Sequence, residues 1–183
     1  MRWDRLFDDL QAQLDADGQR ELDLEVSDRT RRERAQVGLH ERFIAHQGAV
    51  VDLRLLSGVR VSGSIADAGS DWILVHEHGE RGSLVPFGAI VSIHGLGGRA
   101  AVGEGVATAK RFGLGYALRG LSRDRAVVSL ADIGGSTTTG TIDAVGADAL
   151  DLSEHPVDVA RRSENIVGRR VIPFAAIVAV RHG

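Results

Sequence analysis

The chain has no cysteine, which excludes disulfides, thiolate metal centres and cysteine nucleophiles. Lysine is nearly absent, with Lys110 alone against 21 arginines. Aromatic residues are 4% of the 183 positions, too few for a broad base-stacking surface. No apolar run approaches the ~20 residues needed to cross a bilayer, and Met1–Arg5 holds no stretch of signal-peptide type. There is no large excess of charge of one sign. The net charge of −3 excludes a generally polybasic nucleic-acid binder. What is present, 43% hydrophobic and 26% charged residues, suffices to bury a core. These features predict a soluble cytoplasmic protein with no membrane partner.

Three compositional zones divide the chain. Residues 1–48 contain three glycines, no proline, and 8 basic against 11 acidic side chains, so the whole net charge sits there. Trp3, Leu6, Phe7, Leu10 and Leu14 form the apolar stripe of an amphipathic helix. A second helical stretch is expected from about Gln19 to His46, with Leu22, Val26, Val37, Phe43 and Ile44 on its apolar side. Its middle is polar all round and is expected to project into solvent or meet a partner. From Val50 onward the pattern changes to short β-branched runs cut by Gly58, Gly63 and Gly69. Residues 49–98 and 126–183 therefore read as two small β units, joined by a Gly-rich, basic and partly helical linker over 99–125.

The second β unit copies the first. Gly63, Ile65, Gly69 and Asp71 fall on Gly140, Ile142, Gly146 and Asp148 at an offset of 77 residues. Farther on, Leu84 to Ile93 matches Val171 to Val180 at an offset of 87. The ten additional residues lie within 153–170, where a surface hairpin loop is expected. Gly63 and Gly140 sit inside strands, where glycine marks a sharp bend or close backbone approach. Pro86 and Pro173 end strands because proline has no N–H for the ladder. About five short, bent strands in ~50 residues make a small barrel.

Gly58, Val61, Gly63 and Ile65, followed by Trp72 to Val75, resemble the first half of the motif of the Sm-like family. More loosely, the pattern is similar to an SH3-like barrel. The resemblance covers roughly residues 49–95 and 126–181. It implies two tandem five-stranded barrels, each able to pair through its strand edges, and a helix before the first strand. An RNA-binding Sm motif carries an Asp in the turn, an Asn in the third strand and a later Arg-Gly. The matching positions here are Gly69, Ile73 and Pro86-Phe87, then Gly146, Leu150 and Pro173-Phe174. The base-gripping groups are thus missing from both copies, and the resemblance transfers a scaffold.

No catalytic constellation emerges. Ser122, His155 and Asp148 have nothing in the sequence to place them together, and no nucleophile elbow is present. His76 and His78 share a strand face, but a metal site needs a third or fourth ligand and only His94 and Glu80 are plausible additions, so a solvent-facing hairpin tip is expected. No cofactor, metal or small-molecule substrate is implied. The linker sets Arg99, Lys110, Arg111, Arg119, Arg123 and Arg125 against Glu104 and Asp124, a local charge of +4, with Phe112 and Tyr116 close by. Leu114, Ala117, Leu118 and Leu121 suggest a short amphipathic helix within it. Lys110, Arg111, Arg119, Arg123 and Arg125 are the candidate nucleic-acid contacts. Arg29, Arg31, Arg32 and Arg34, interleaved with Asp28 and Glu33, form a second basic cluster. With Trp72, which is Ala149 in the second unit, they are the candidate partner contacts.

The reading is an N-terminal helical segment followed by two small Sm-like or SH3-like barrels. The expected role is a non-catalytic assembly or adaptor module acting through protein partners or self-association. Trp72–Val75 with Ile90–Ile93, and Leu150–Leu152 with Ile177–Val180, are the expected contact strands. The alternative is RNA binding through the linker and arginine cluster.

Overall fold

The computed structural model describes residues 31–32, 35–79, 81–158 and 162–182. The stripe from Trp3 to Leu14, and Arg29 and Arg34, lie outside the described residues. Arg31 and Arg32 are exposed in a helical turn. Contacts gather Gly38–Gly183 into one compact unit that holds every described strand.

The helical stretch expected to run on to His46 is broken at Val37 and Gly38. Gly38 is extended (φ −87°, ψ 173°), and its N–H donates to the Glu41 carboxylate at 3.1 Å. Glycine is costly inside a helix and acceptable at its start, so a new helix, α1 (Leu39–Ala45), begins after it. Phe43 on α1 is fully buried and meets Phe87 with ring centroids 5.3 Å apart.

The strands are β1 (Val50–Leu55), β2 (Arg60–Ala68), β3 (Trp72–His76), β4 (Gly82–Pro86) and β5 (Ile90–His94). Two helices follow, α2 (Glu104–Ala109) and α3 (Leu114–Arg123). Then come β6 (Val127–Asp132), β7 (Thr137–Val145), β8 (Ala149–Glu154), β9 (Gly168–Pro173) and β10 (Ile177–His182). All ten strands form one antiparallel sheet in the order β5-β1-β2-β3-β4-β10-β6-β7-β8-β9. The molecule is thus mainly β with short helices. Its sheet is open at β5 and β9, and the two halves are not separately closed as the sequence pattern suggested. Pairing of β4 with β10 fuses them, because two strand edges with unused N–H and C=O groups gain more by meeting than by facing water.

Within that sheet the two halves share one plan. The first reads β5-β1-β2-β3-β4 and the second β10-β6-β7-β8-β9. Val51 faces Gly63 across β1–β2, and Val128 faces Gly140 across β6–β7. Each long middle strand carries its register shift at the same step, Ile65/Asp67 and Ile142/Ala144. Such a bulge sharpens the local bend. Phe87 and Phe174, each following a proline, donate their N–H to the carbonyls of Asp71 and Asp148 at 2.8 and 2.7 Å.

Two apolar cores result. One gathers Phe43, Leu53, Ile65, Ile73, Val75 and Val85, and the other gathers Leu118, Leu130, Ile142, Leu150 and Leu152. Each borrows across the join: Ala131, Val178 and Ala179 enter the first core, and Trp72 and Leu84 enter the second. The linker folds as its apolar spacing predicts. Leu114 and Leu118 of α3 are buried in the second core, and Asp71 accepts the Leu114 N–H at 2.7 Å. A carboxylate there satisfies an otherwise orphaned helical donor.

Candidate functional site

The join between the halves is short, and its centre is buried. Val180 lies opposite Leu84, Arg181 opposite Ser83, and His182 opposite Gly82. Every residue of β4 is buried, and Leu84 and Val180 keep 3% and 0% of their surface. Polar side chains close the ends. Arg181 donates to the Glu77 carboxylate at 3.1 Å and to the Arg60 carbonyl at 3.0 Å, while the Ser83 hydroxyl donates to Glu77. At the far end, Ser57 Oγ lies 3.1 and 2.9 Å from the carbonyls of Asp132 and Ile133. The join combines main-chain pairing with two apolar faces and a polar rim, the anatomy of a protein–protein interface.

The sequence alignment of the two units carries this join onto the open edges. Leu84 corresponds to Val171 on β9, and Val178 on β10 corresponds to Val91 on β5. Val178 is wholly buried and Leu84 nearly so, yet Val171 is 70% exposed and Val91 48% exposed. The outer side of each edge strand has no neighbour in the sheet. Sequence reasoning included Val91 in the expected contact strand Ile90–Ile93 but missed Val171, although the offset of 87 that pairs it with Leu84 was there to be read.

Two of the contact strands expected from sequence are corrected by this topology. Trp72–Val75 lies on β3, which is hydrogen-bonded on both sides, to β2 and β4. Leu150–Leu152 lies on β8, equally enclosed by β7 and β9. Neither has a free edge to offer. Trp72 keeps 6% of its surface, packs in the second core, and donates its indole N–H to the Phe112 carbonyl at 2.9 Å.

The linker cations separate into one that is committed and four that are not. Lys110 pairs with Glu41 of α1. Arg111, Arg119, Arg123 and Arg125 are exposed and make no ion pair among the described residues. Arg125, with φ +51°, and Arg169 line a polar cavity of about 290 Å³ together with Ser122, Thr141 and Asp143. Ser122 is engaged with the Ile142 carbonyl at 3.0 Å, and His155 with Thr141 at 2.8 Å, so no hydrogen bond joins Ser122, His155 and Asp148 as a catalytic relay. His76 and His78 are exposed, and no group of three His, Asp or Glu among the described residues is arranged to hold a metal. No helix among them is long and apolar enough to cross a membrane.

Lys110 acts on its partner. Its hydrogen bond, aided by N–H donors of Glu41 and Gly38 and by Coulomb attraction, holds the Glu41 carboxyl below the usual carboxylate range against a smaller opposing effect of burial. A carboxylate with a depressed folded pKa stabilises the fold above its unfolded pKa, and the gain fades as pH falls through the folded value. Lys110→Met is therefore expected to cost about 0.5 kcal/mol at neutral pH, since the ammonium is half exposed. The loss should vanish in acid. Urea melts at pH 7 and pH 3, with carboxyl carbon titration of Glu41, check both the size and the sign.

A scan against protein-family models and a search of curated proteins both returned no match.

Proposed function

We propose that the chain is a non-catalytic assembly module, built as two fused Sm-like units, whose copies join end to end. The outer edge of β9 on one copy pairs with the outer edge of β5 on the next, as β4 pairs with β10 inside each chain. The β4–β10 join is the observation that carries this reading. Transferred by the repeat, its register sets Ile93 opposite Val171 and His94 opposite Arg170 between copies. Arg170 already pairs with Glu154, so its charge is balanced beside the incoming strand. The exposed Val171 stands at the position of Leu84 in the join, and the exposed Val91 at that of Val178, which packs into the first core. Covering a valine fully is worth ~1.5–3 kcal/mol relative to leaving it exposed. Because β9 meets β5 and not another β9, the contact is heterologous, and copies add in one direction until the rotation closes a ring.

Sedimentation equilibrium over a range of concentrations tests the reading. Assembly beyond one chain, increasing with concentration, is the expected result. A strict monomer at the highest attainable concentration would defeat it.

RNA binding through the linker is the second reading, favoured by the four exposed arginines without ion pairs. It predicts retention of single-stranded RNA at low salt that falls steeply as salt is added. Arg119→Glu with Arg123→Glu should abolish that retention in an electrophoretic shift assay. No retention by the unaltered chain at low salt would dismiss it.

A further inference from the structure

The chain is poor in aromatic residues, with two Trp, one Tyr and five Phe, yet three of the eight line one cavity. It measures about 410 Å³ and lies between the β2–β3 turn and the linker helices. Trp72, Phe112 and Tyr116 form its aromatic walls, and Asp67, Thr108 and Ala117 complete the lining that matters. The walls are held in place. The Phe112 carbonyl accepts two N–H groups, from the Trp72 indole at 2.9 Å and from the Ser70 backbone at 3.0 Å. The Phe112 and Tyr116 rings contact each other at 4.4 Å between centroids, tilted by 40°. Gly69 permits this closeness, since a Cβ there would lie 2.1 Å from the Trp72 indole nitrogen and 2.2 Å from the Phe112 carbonyl.

The charge of the cavity points one way. Among the described residues, Asp67 is its only charged lining residue. One oxygen, Oδ1, accepts the Ala68 N–H at 2.8 Å and the Gln47 amide at 3.5 Å, while among the described residues Oδ2 accepts no hydrogen bond and no cation pairs with the group. Tyr116, at 52% exposure, leaves half of its surface uncovered. The second unit has none of this. Ala144 stands at the position of Asp67 and Ala149 at that of Trp72. Asp67 and Trp72 are thus particular to the first unit and not requirements of the shared scaffold.

We propose that this cavity binds a methylated ammonium group, carried by a small molecule or by a trimethylated lysine side chain. Ring faces attract a cation that is too weakly hydrated to resist leaving water, and an unpaired carboxylate at the rim adds to the pull. Neutral apolar ligands gain only the burial term. The proposal is independent of end-to-end assembly and stands or falls separately.

The test is fluorescence titration of the full chain carrying Trp3→Phe, so that Trp72 alone reports. The probes are choline, an acetylated trimethyllysine amide, and 3,3-dimethylbutanol, the uncharged carbon analogue of choline. Saturable quenching by at least one cation is expected, with the neutral analogue weaker by about tenfold or more. The tighter of the two cations identifies the source. Tyr116→Ala and Asp67→Asn should each weaken the response while the far-ultraviolet circular dichroism is retained. No saturable response to either cation, or equal affinity for the neutral analogue, would overturn the proposal.

Discussion

Val171→Asp is expected to leave the fold intact and to abolish association between chains. The side chain is 70% exposed, so the substitution meets water in the isolated molecule. Exposed replacements of this kind change stability by less than about 0.5 kcal/mol. In the assembled state the same position takes the role of Leu84, which keeps 3% of its surface. A carboxylate buried there without a partner costs about 3 kcal/mol or more, a loss of over a hundredfold in association. The internal counterpart gives the contrast. Leu84→Asp places the same charge in the join that fuses the two halves, and it should lower the unfolding midpoint of the chain itself. Sedimentation velocity on the first variant and urea melts on both separate the effects.

Gly140→Val and Gly63→Val should each produce a large loss of stability. A Cβ at Gly140 would lie 2.1 Å from the Ser153 carbonyl oxygen, and one at Gly63 would lie 2.0 Å from that of His76. Both obstacles are backbone atoms of the neighbouring strand, which cannot rotate aside. The ladder must open or the strands must shift, at a cost of about 3 kcal/mol. That is a large share of the ~5–15 kcal/mol by which a domain is stable. Gly88 supplies the control. Nothing lies within 4 Å of its would-be Cβ, and the matching position in the second unit, 175, is already alanine. Gly88→Ala is expected to be neutral or slightly stabilising in the same denaturation experiment.

The two units were legible because their residues act locally. Glycines at 63 and 140 allow close strand approach, prolines at 86 and 173 end strands, and alternating apolar residues between them face a core. The helix over Leu114–Arg123 was legible for the same reason, from four apolar residues at helical spacing. The join was not. Leu84 and Val180 are far apart in the chain and look like any other core residues of short strands. Nothing in their spacing says that one borders the core of its own half and packs into the other. Trp72 was expected as a partner contact, whereas it is buried in the second core, and its indole hydrogen bond to Phe112 depends on a turn and a linker that meet only in the folded chain. Val37 and Gly38 show the opposite error. The apolar stripe ran through them and suggested one long helix, whereas the extended glycine starts a new one.

Mixing two edge-blocked variants tests the central claim most directly. Val171→Asp disables β9 and leaves β5 free, whereas Val91→Asp disables β5 and leaves β9 free. Each alone should sediment as a monomer. Combined in equal amounts, they should form a one-to-one dimer through the single remaining β9–β5 contact, and nothing larger. If the mixture stays monomeric while the unaltered chain assembles, or if either variant alone assembles like the unaltered chain, the copies are joined by some other surface and the account is wrong.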